Sequence, residues 1–321
     1  MAKLAFLICA HQHPEHLGRL VRRLRHPDSS FFIFVDGKAD AAPFAAAVQG
    51  EPRCQFVEPR HRVYWMGFSC VEAQVALMRA AMDSGTPFKY LVSLTGVDYP
   101  IHPVDRIHDF YERQTSEFLR YFSLAEHIDW QHKVSRFYRL DIPAFNRREV
   151  FKTRTRTALW LPALVLSRVA ARLIPRRASL EGFTLCGGSA HWSLTHACAR
   201  HVLDVTAAEP RLAAFFRTTH CPDEMYFQTV VVSSRHRENI VGRSAITHWP
   251  ANRRSRYVTE HGDDLKYVNW DPAREGPAIL DERDFPALVS SGKLFARKCH
   301  PIVSRGLLDR LDAAPASPVP Q

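Results

Sequence analysis

Leu4-Ala5-Phe6-Leu7-Ile8-Cys9-Ala10 is an unbroken apolar run that ends abruptly at His11-Gln12-His13-Pro14. Seven residues are too few for a buried helix, and a run without polar alternation reads as a strand covered on both faces. Pro14 suits the first position of a helix, predicted over residues 14–25, and a second apolar run follows at residues 31–35. The same grammar returns with a helical pattern over residues 71–84 and another strand-like run at Tyr90–Thr95. Strand, helix and strand at this spacing predict an α/β fold, Rossmann-like, with a mostly parallel sheet, right-handed crossovers and helices on both faces. Ligands of such sheets gather beyond the carboxyl ends of the strands. Three loops therefore stand out: residues 10–14, 36–38 and 96–100.

The whole chain of 321 residues is 46% hydrophobic and 24% charged, which excludes disorder, collagen and disulfide-stapled miniproteins. Forty-three Lys and Arg against 33 Asp and Glu leave a formal charge of +10, so an anionic partner is expected. Much of that charge is local. Residues 147–177 hold nine Lys or Arg and a single acid, Glu149. Within them Trp160, Leu164, Ser167 and Ala171 fall on one side at helical spacing, and Arg168, Arg172 and Arg176 on another, which predicts a basic amphipathic helix. A solvated charge face and an anionic membrane surface both fit that pattern. Seven scattered cysteines show no C-x-x-C pair and read as small buried hydrophobes in a reducing compartment. The first apolar run is too short for a signal peptide, and Arg168 and Arg172 interrupt the longest apolar candidate for a span. A cytoplasmic protein, or one peripheral at the inner face of a membrane, is the expectation. One domain over residues 1–312 is expected, with 147–177 as an insertion, a glycine-bearing turn into a helix at residues 185–192, and a disordered tail at 313–321.

No G-x-G-x-x-G, G-x-x-x-x-G-K-[ST], G-x-S-x-G or H-E-x-x-H is present. Nor do two Asp stand two apart, the spacing with which many nucleotide-sugar transferases hold a metal on the diphosphate. His11 and His13 lack the nearby carboxylates of a metal site. Five segments carry more information when taken in order: Val35-Asp36-Gly37-Lys38; Val63-Tyr64-Trp65-Met66-Gly67-Phe68-Ser69; Leu94-Thr95-Gly96-Val97-Asp98-Tyr99-Pro100-Ile101; Pro222-Asp223-Glu224-Met225-Tyr226-Phe227-Gln228-Thr229; and Leu265-Lys266-Tyr267-Val268-Asn269-Trp270 followed by Phe295-Ala296-Arg297-Lys298. In this order they resemble the core-2/I-branching β-1,6-N-acetylglucosaminyltransferase family, which includes the protein O-xylosyltransferases. The resemblance runs from about residue 3 to about residue 300, and the lack of an evident membrane anchor points to a bacterial-type member.

The resemblance implies a GT-A-type glycosyltransferase that inverts the anomeric centre, needs no metal or other cofactor, and takes a UDP-sugar, N-acetylglucosamine first and xylose next. The acceptor would be a glycan or a lipid-linked oligosaccharide. Glu224 takes the place of the catalytic base. Lys266 and Lys298, with Arg297 beside them, map to the cations on the donor diphosphate; the family usually has Arg where Lys266 stands, so the bidentate fork is lost there. His11, Asp36, Lys38 and Asp98 are assigned to the nucleotide, and Trp65, Ser189, His191 and Trp192 to the sugar and acceptor pocket.

The chemistry asks for these residue types in its own right. Inverting transfer needs a carboxylate to take the proton of the attacking hydroxyl, and fixed cations in a water-poor site can stabilise the charge that grows on the leaving phosphate. Plainer readings stand beside these: Pro222-Asp223-Glu224 is also an ordinary helix start, Asp98 a turn cap, Trp65 or Trp192 a core aromatic, and Trp270 a strand residue that belongs to the core before a ligand platform. Two other classes remain open, a basic protein that binds nucleic acid or anionic lipid through residues 147–177, and a sugar-binding relative without catalysis. Nucleic acid is the weaker of these partners, because no aromatics interleave with the basic residues in a recognisable module.

Overall fold

The computed structural model describes residues 1, 3–174, 179–242, 247–249, 258–260, 262–271, 273–274 and 276–313. The first half runs β1 (Leu4–Ala10), α1 (Pro14–Arg23), β2 (Ser29–Val35), α2 (Ala42–Ala47), β3 (Cys54–Phe56), α3 (Ser69–Asp83), β4 (Tyr90–Thr95), β5 (Asp98–Pro100), α4 (Val104–Arg113), β6 (Phe118–Ser123) and α5 (Ile128–Ser135). The second half runs α6 (Arg147–Val150), α7 (Arg154–Leu173), β7 (Cys186–Thr195), α8 (His196–Ala208), α9 (Pro210–Phe216), α10 (Tyr226–Val232), β8 (Thr247–Trp249), β9 (Val258–Glu260), β10 (Lys266–Val268), α11 (Phe285–Ser290), β11 (Phe295–Arg297) and α12 (Arg305–Ala313).

The main sheet has the order β3-β2-β1-β4-β7-β6. β3, β2, β1 and β4 are mutually parallel, while β7 pairs antiparallel with both β4 and β6. Alternate residues of β1 feed two separate cores, which is why the strand shows no polar positions. Ala5 and Leu7 join Val71, Val75 and Met78 of α3 and Phe227 and Val231 of α10 on one face. Leu4, Phe6 and Ile8 join Leu17 and Val21 of α1, Ile107 and Tyr111 of α4, and Leu308 and Leu311 of α12 on the other. Phe6 stacks on Phe31 at 5.6 Å between ring centroids. The predicted mostly parallel sheet with helices on both faces is therefore the architecture found.

A smaller sheet, β10-β11-β5, sits off the carboxyl end of β4. β11 runs antiparallel to β5, and its register sets Arg297 opposite Asp98. This pairing brings a cation from near the end of the chain onto the loop after β4.

Three expectations need correction. Residues 185–192 are not a turn into a helix: Cys186–Thr195 is a strand, and α8 starts at His196 with the hydroxyl of Thr195 accepting from the Cys198 amide at 3.2 Å. Gly187 and Gly188 weaken any helix there, and the alternating run His191-Trp192-Ser193-Leu194 suits a half-buried strand. Trp270 lies beyond the end of β10 and is 43% exposed, so it is neither a strand residue nor core. Ala313 closes α12 instead of opening a tail, and residues 314–321 lie outside the described residues.

Candidate active site

The site is assembled at the carboxyl ends of β1, β2 and β4, from segments far apart in sequence. Asp98 is its most buried charge. Its Oδ2 accepts from Lys266 Nζ at 2.7 Å and from the Thr95 amide at 2.7 Å. Its Oδ1 lies 3.2 Å from Arg297 Nη1, which also donates to Thr95 Oγ1 at 2.5 Å. Burial on its own pushes the Asp98 carboxyl up, but the Lys266 ammonium and the Arg297 guanidinium outweigh it and hold the group well below the usual carboxylate range. Lys266 is likewise pushed down by burial, with Asp98 opposing. Asp98 thus serves as more than a turn cap: it clamps two cations and the end of β4.

The two cations differ in what they can reach. Lys266 is enclosed, with 1% of its side chain exposed, whereas Arg297 keeps 21%. As placed, Lys266 is therefore not offered to a donor diphosphate, and Arg297 is the member of the pair that reaches solvent. Lys298, next in chain, is half-buried, and its carbonyl accepts from the Leu280 amide at 2.8 Å. His191 lies among the same charges. Burial first, and then Lys266 and Arg297, drive its pKa well below the ordinary value against the pull of Asp98, and its Nδ1 is buried without a hydrogen-bond partner.

The second group follows β2. Asp36 Oδ1 accepts from the amides of Lys38 at 2.9 Å and Val63 at 3.1 Å, tying the 36–38 loop to the segment before α3. Gly37 has no alternative here, since a Cβ would meet the His61 backbone at 2.8 Å. Lys38 Nζ lies 3.6 Å from Asp36 and 3.5 Å from Glu149. Gly37, Lys38, Arg62 and Tyr64, together with Glu149, Arg156 and Trp160, line a cavity of about 360 Å³. Partial burial and the neighbouring Lys38, Arg297 and Arg148, against Asp36, lower the pKa of His11. Trp65 is 49% exposed, with the Arg148 guanidinium 4.1 Å from its ring centroid, so it is a surface platform and not a core aromatic. Gly67 makes room for Asp141, whose carboxylate accepts from the amides of Phe68 and Ser69 and so caps α3.

The third group is the short 3₁₀ turn Pro222–Glu224, which the Cys221 amide ties to the Met66 carbonyl at 3.1 Å. Glu224 keeps 34% of its side chain exposed and receives Lys133 Nζ at 2.8 Å. That ammonium also sits 3.1 Å from the Trp130 ring centroid. The neighbouring Asp223 behaves differently: burial and the Glu224 charge raise its pKa to about 7. The three groups share one space. Asp223, Asp36 and Asp98 all act on the thiol of Cys9, one residue before the end of β1, and Arg297 acts on His11, His191, Asp98 and Asp223 alike.

Trp192 is excluded from this space. It is 1% exposed, packed in the core, and donates Nε1–H to Gln74 Oε1 at 2.9 Å, so its expected contact with an acceptor sugar is withdrawn. Ser189, in β7, accepts the Gln228 side-chain amide on its carbonyl and the His191 amide on its hydroxyl at 3.3 Å. Among the described residues, three metal-capable side chains come together in one place, Glu117, Cys198 and His236. Glu117 and Thr195 lie at the opposite end of the sheet, and Thr195 occupies both carboxylate oxygens of Glu117 at 2.6 and 2.8 Å.

Comparison with known proteins identifies the family. The sequence model of the Core-2/I-Branching enzyme family matches residues 4–289. The chain belongs to that family. It is 22% identical over 320 residues to Xylosyltransferase oxt of Drosophila pseudoobscura pseudoobscura, covering 97% of this chain and 33% of that protein. Xylosyltransferase 1 of Rattus norvegicus is 23% identical over 323 residues, with 97% of this chain and 35% of that protein covered. Over a shorter stretch of 102 residues, 30% of this chain and 24% of the relative, identity reaches 33% with the Beta-1,3-galactosyl-O-glycosyl-glycoprotein beta-1,6-N-acetylglucosaminyltransferase of Homo sapiens. The chain spans about a third of the length of the curated relatives it matches over most of its own length. The solved structure of mouse Xyloside xylosyltransferase 1 in its apo form superposes with a TM-score of 0.32 at 12% identity, over 73% of this chain and 82% of that one, too loose a likeness to build on.

In this core-2/I-branching family member, sequence reasoning missed Lys133, Asp141, Arg148 and Thr95. Only Thr95 stood inside a quoted motif. Lys133 and Asp141 lie in a stretch without motif or periodicity, and only the fold brings them to Glu224 and to α3.

Proposed function

We propose that the chain is an inverting glycosyltransferase that moves a sugar from a UDP-sugar to a hydroxyl of a glycan or lipid-linked oligosaccharide, without a metal ion. The observation that carries this reading is a partly exposed carboxylate, Glu224, whose chain neighbour Asp223 lies within electrostatic reach of a partly exposed guanidinium, Arg297, beyond the carboxyl ends of the parallel strands. Family membership favours N-acetylglucosamine as the sugar, with xylose next.

In this mechanism Glu224 takes the proton of the acceptor hydroxyl as its oxygen bonds to C1 of the sugar. The bond from C1 to the β-phosphate oxygen breaks on the opposite face, and UDP leaves with the electron pair. Lys133 donates to Glu224 at 2.8 Å and so keeps the carboxylate oriented. Arg297, with Lys298 beside it, stabilises the growing phosphate charge, the task a metal performs elsewhere. Lys266 acts one step back. By neutralising Asp98 in the interior it fixes the carboxylate that aims Arg297. Asp36 and Lys38 form the nucleotide side of the cleft.

A screen of nucleotide sugars for transfer and hydrolysis, with and without EDTA, tests the proposal. Turnover of UDP-N-acetylglucosamine or UDP-xylose that survives EDTA supports it. Activity lost to EDTA and restored by manganese contradicts the metal-free part, and no turnover of any UDP-sugar contradicts the whole.

A further inference from the structure

The insertion that holds most of the chain's positive charge folds as α6 and α7, and α7 has two unlike faces. Leu164 and Ala171 are buried and Trp160, Ala163 and Ser167 partly so, which is the inner face. The outer face is apolar where a solvated helix should be polar. Leu159, Pro162, Leu166, Val169 and Leu173 recur every three or four residues along it, and Leu159, Leu166 and Leu173 are 69%, 69% and 73% exposed. This stripe covers roughly 20 Å of helix at about 1.5 Å per residue. No acid interrupts the helix, and Arg154, Arg168 and Arg172 flank the stripe along one edge. None of these three has an acidic partner within salt-bridge distance among the described residues. The single acid of the whole insertion, Glu149, is turned inward, where Lys38, Lys152 and Arg156 neutralise it.

An exposed leucine stripe edged by arginines matches the layered chemistry of one environment, the boundary between acyl chains and anionic headgroups. We infer that α7 is an interfacial helix that docks the protein on a bilayer containing anionic phospholipid, its leucines in the acyl boundary and Arg154, Arg168 and Arg172 at the headgroups. Charge complementarity selects this occupant over a second copy of the chain, because pairing two such faces would set like-charged arginine edges together. The helix is too basic to span: among the described residues no helix is long and apolar enough to cross a membrane. The docking also bears on the acceptor. Arg156 and Trp160 of α7 line the cavity beside Gly37 and Lys38, so the docked helix holds that cavity at the lipid surface. An acceptor carried on a lipid is the class of substrate this geometry favours. That last step rests on the proposed transfer, whereas the docking itself does not.

The test is flotation with vesicles of phosphatidylcholine containing phosphatidylglycerol, against phosphatidylcholine alone, at low and high salt. Binding should require the anionic lipid and weaken with salt. The double substitution Leu159→Glu with Leu166→Glu should lower the partition coefficient by about a hundredfold, since each leucine withdrawn from lipid costs a factor of about ten or more. Both side chains are exposed, so the melting temperature and the turnover of a soluble acceptor should stay at the parent values, which keeps failure of docking separate from failure of the catalytic reading. Absence of binding to phosphatidylglycerol vesicles, or binding that the double substitution leaves unchanged, overturns the inference. So does a stable dimer by light scattering that the same substitutions dissociate, since that assigns the face to a second copy.

Discussion

The ammonium of Lys266 lies 2.7 Å from Oδ2 of Asp98, with 1% and 0% of the two side chains exposed. A pair so enclosed contributes little net stability over an apolar replacement of both partners, but removing one partner strands the other's charge. Lys266→Met should therefore cost about 3–5 kcal/mol, read as a lower urea midpoint at neutral pH. The sign with pH follows from Asp98. Its folded pKa is depressed, so its contribution is complete above the ordinary carboxylate range and lost as pH falls through the folded value. The stability gap between parent and variant should be widest at neutrality and narrow as pH falls and the stranded Asp98 carboxyl of the variant takes up a proton.

Arg297 shares the same carboxylate but reaches solvent, and its substitution should separate from that of Lys266 in kind. Arg297→Gln is expected to shift the melting temperature less than Lys266→Met does. Transfer should fall by about 10²–10³ in kcat, the typical effect of removing one donor aimed at developing negative charge. Steady-state kinetics on both variants, normalised to folded protein, decides it. A loss confined to stability would make Arg297 scaffold.

Asp223 supplies a pH signature. Its folded pKa is raised to about 7 by burial and by Glu224, above the value of about 3.9 for an exposed Asp. A raised value means the folded state favours the protonated form, so the contribution is complete below the unfolded pKa and fades as pH rises through about 7. Asp223→Asn removes that loss. The variant's melting temperature relative to the parent should rise between about pH 4 and about pH 8; a flat difference contradicts the raised pKa.

The fold was legible because its first strands are pure cases. Leu4–Ala10 is apolar throughout and Tyr90–Thr95 is broken only by Ser93 and Thr95, and the observed bounds coincide with these runs. β7 was misread because Gly187-Gly188 and the serine between them and His191 look like punctuation, while its strand character comes from pairing with β4 and β6, which no local pattern encodes. The same limit governs the site. Asp36, Asp98, Glu224 and Arg297 were found because each sits in a motif. What they do depends on partners up to 202 residues away, as Arg297 does on Thr95 and Asp98. Burial inverted two assignments: Lys266 turns inward to serve Asp98, and Trp192 joins the core. Residue type gave no sign of the first and left the second as one of two readings.

The most direct measurement is the turnover of Glu224→Gln with the best UDP-sugar and acceptor, beside Asp223→Asn, each confirmed as folded by a single cooperative melting transition. The transfer mechanism predicts a fall of about 10²–10⁴ in kcat for Glu224→Gln, the range a positioned general base contributes, and a smaller, pH-dependent change for Asp223→Asn. Turnover of Glu224→Gln at the parent rate would contradict the account, and loss in Asp223→Asn alone would move the base by one residue.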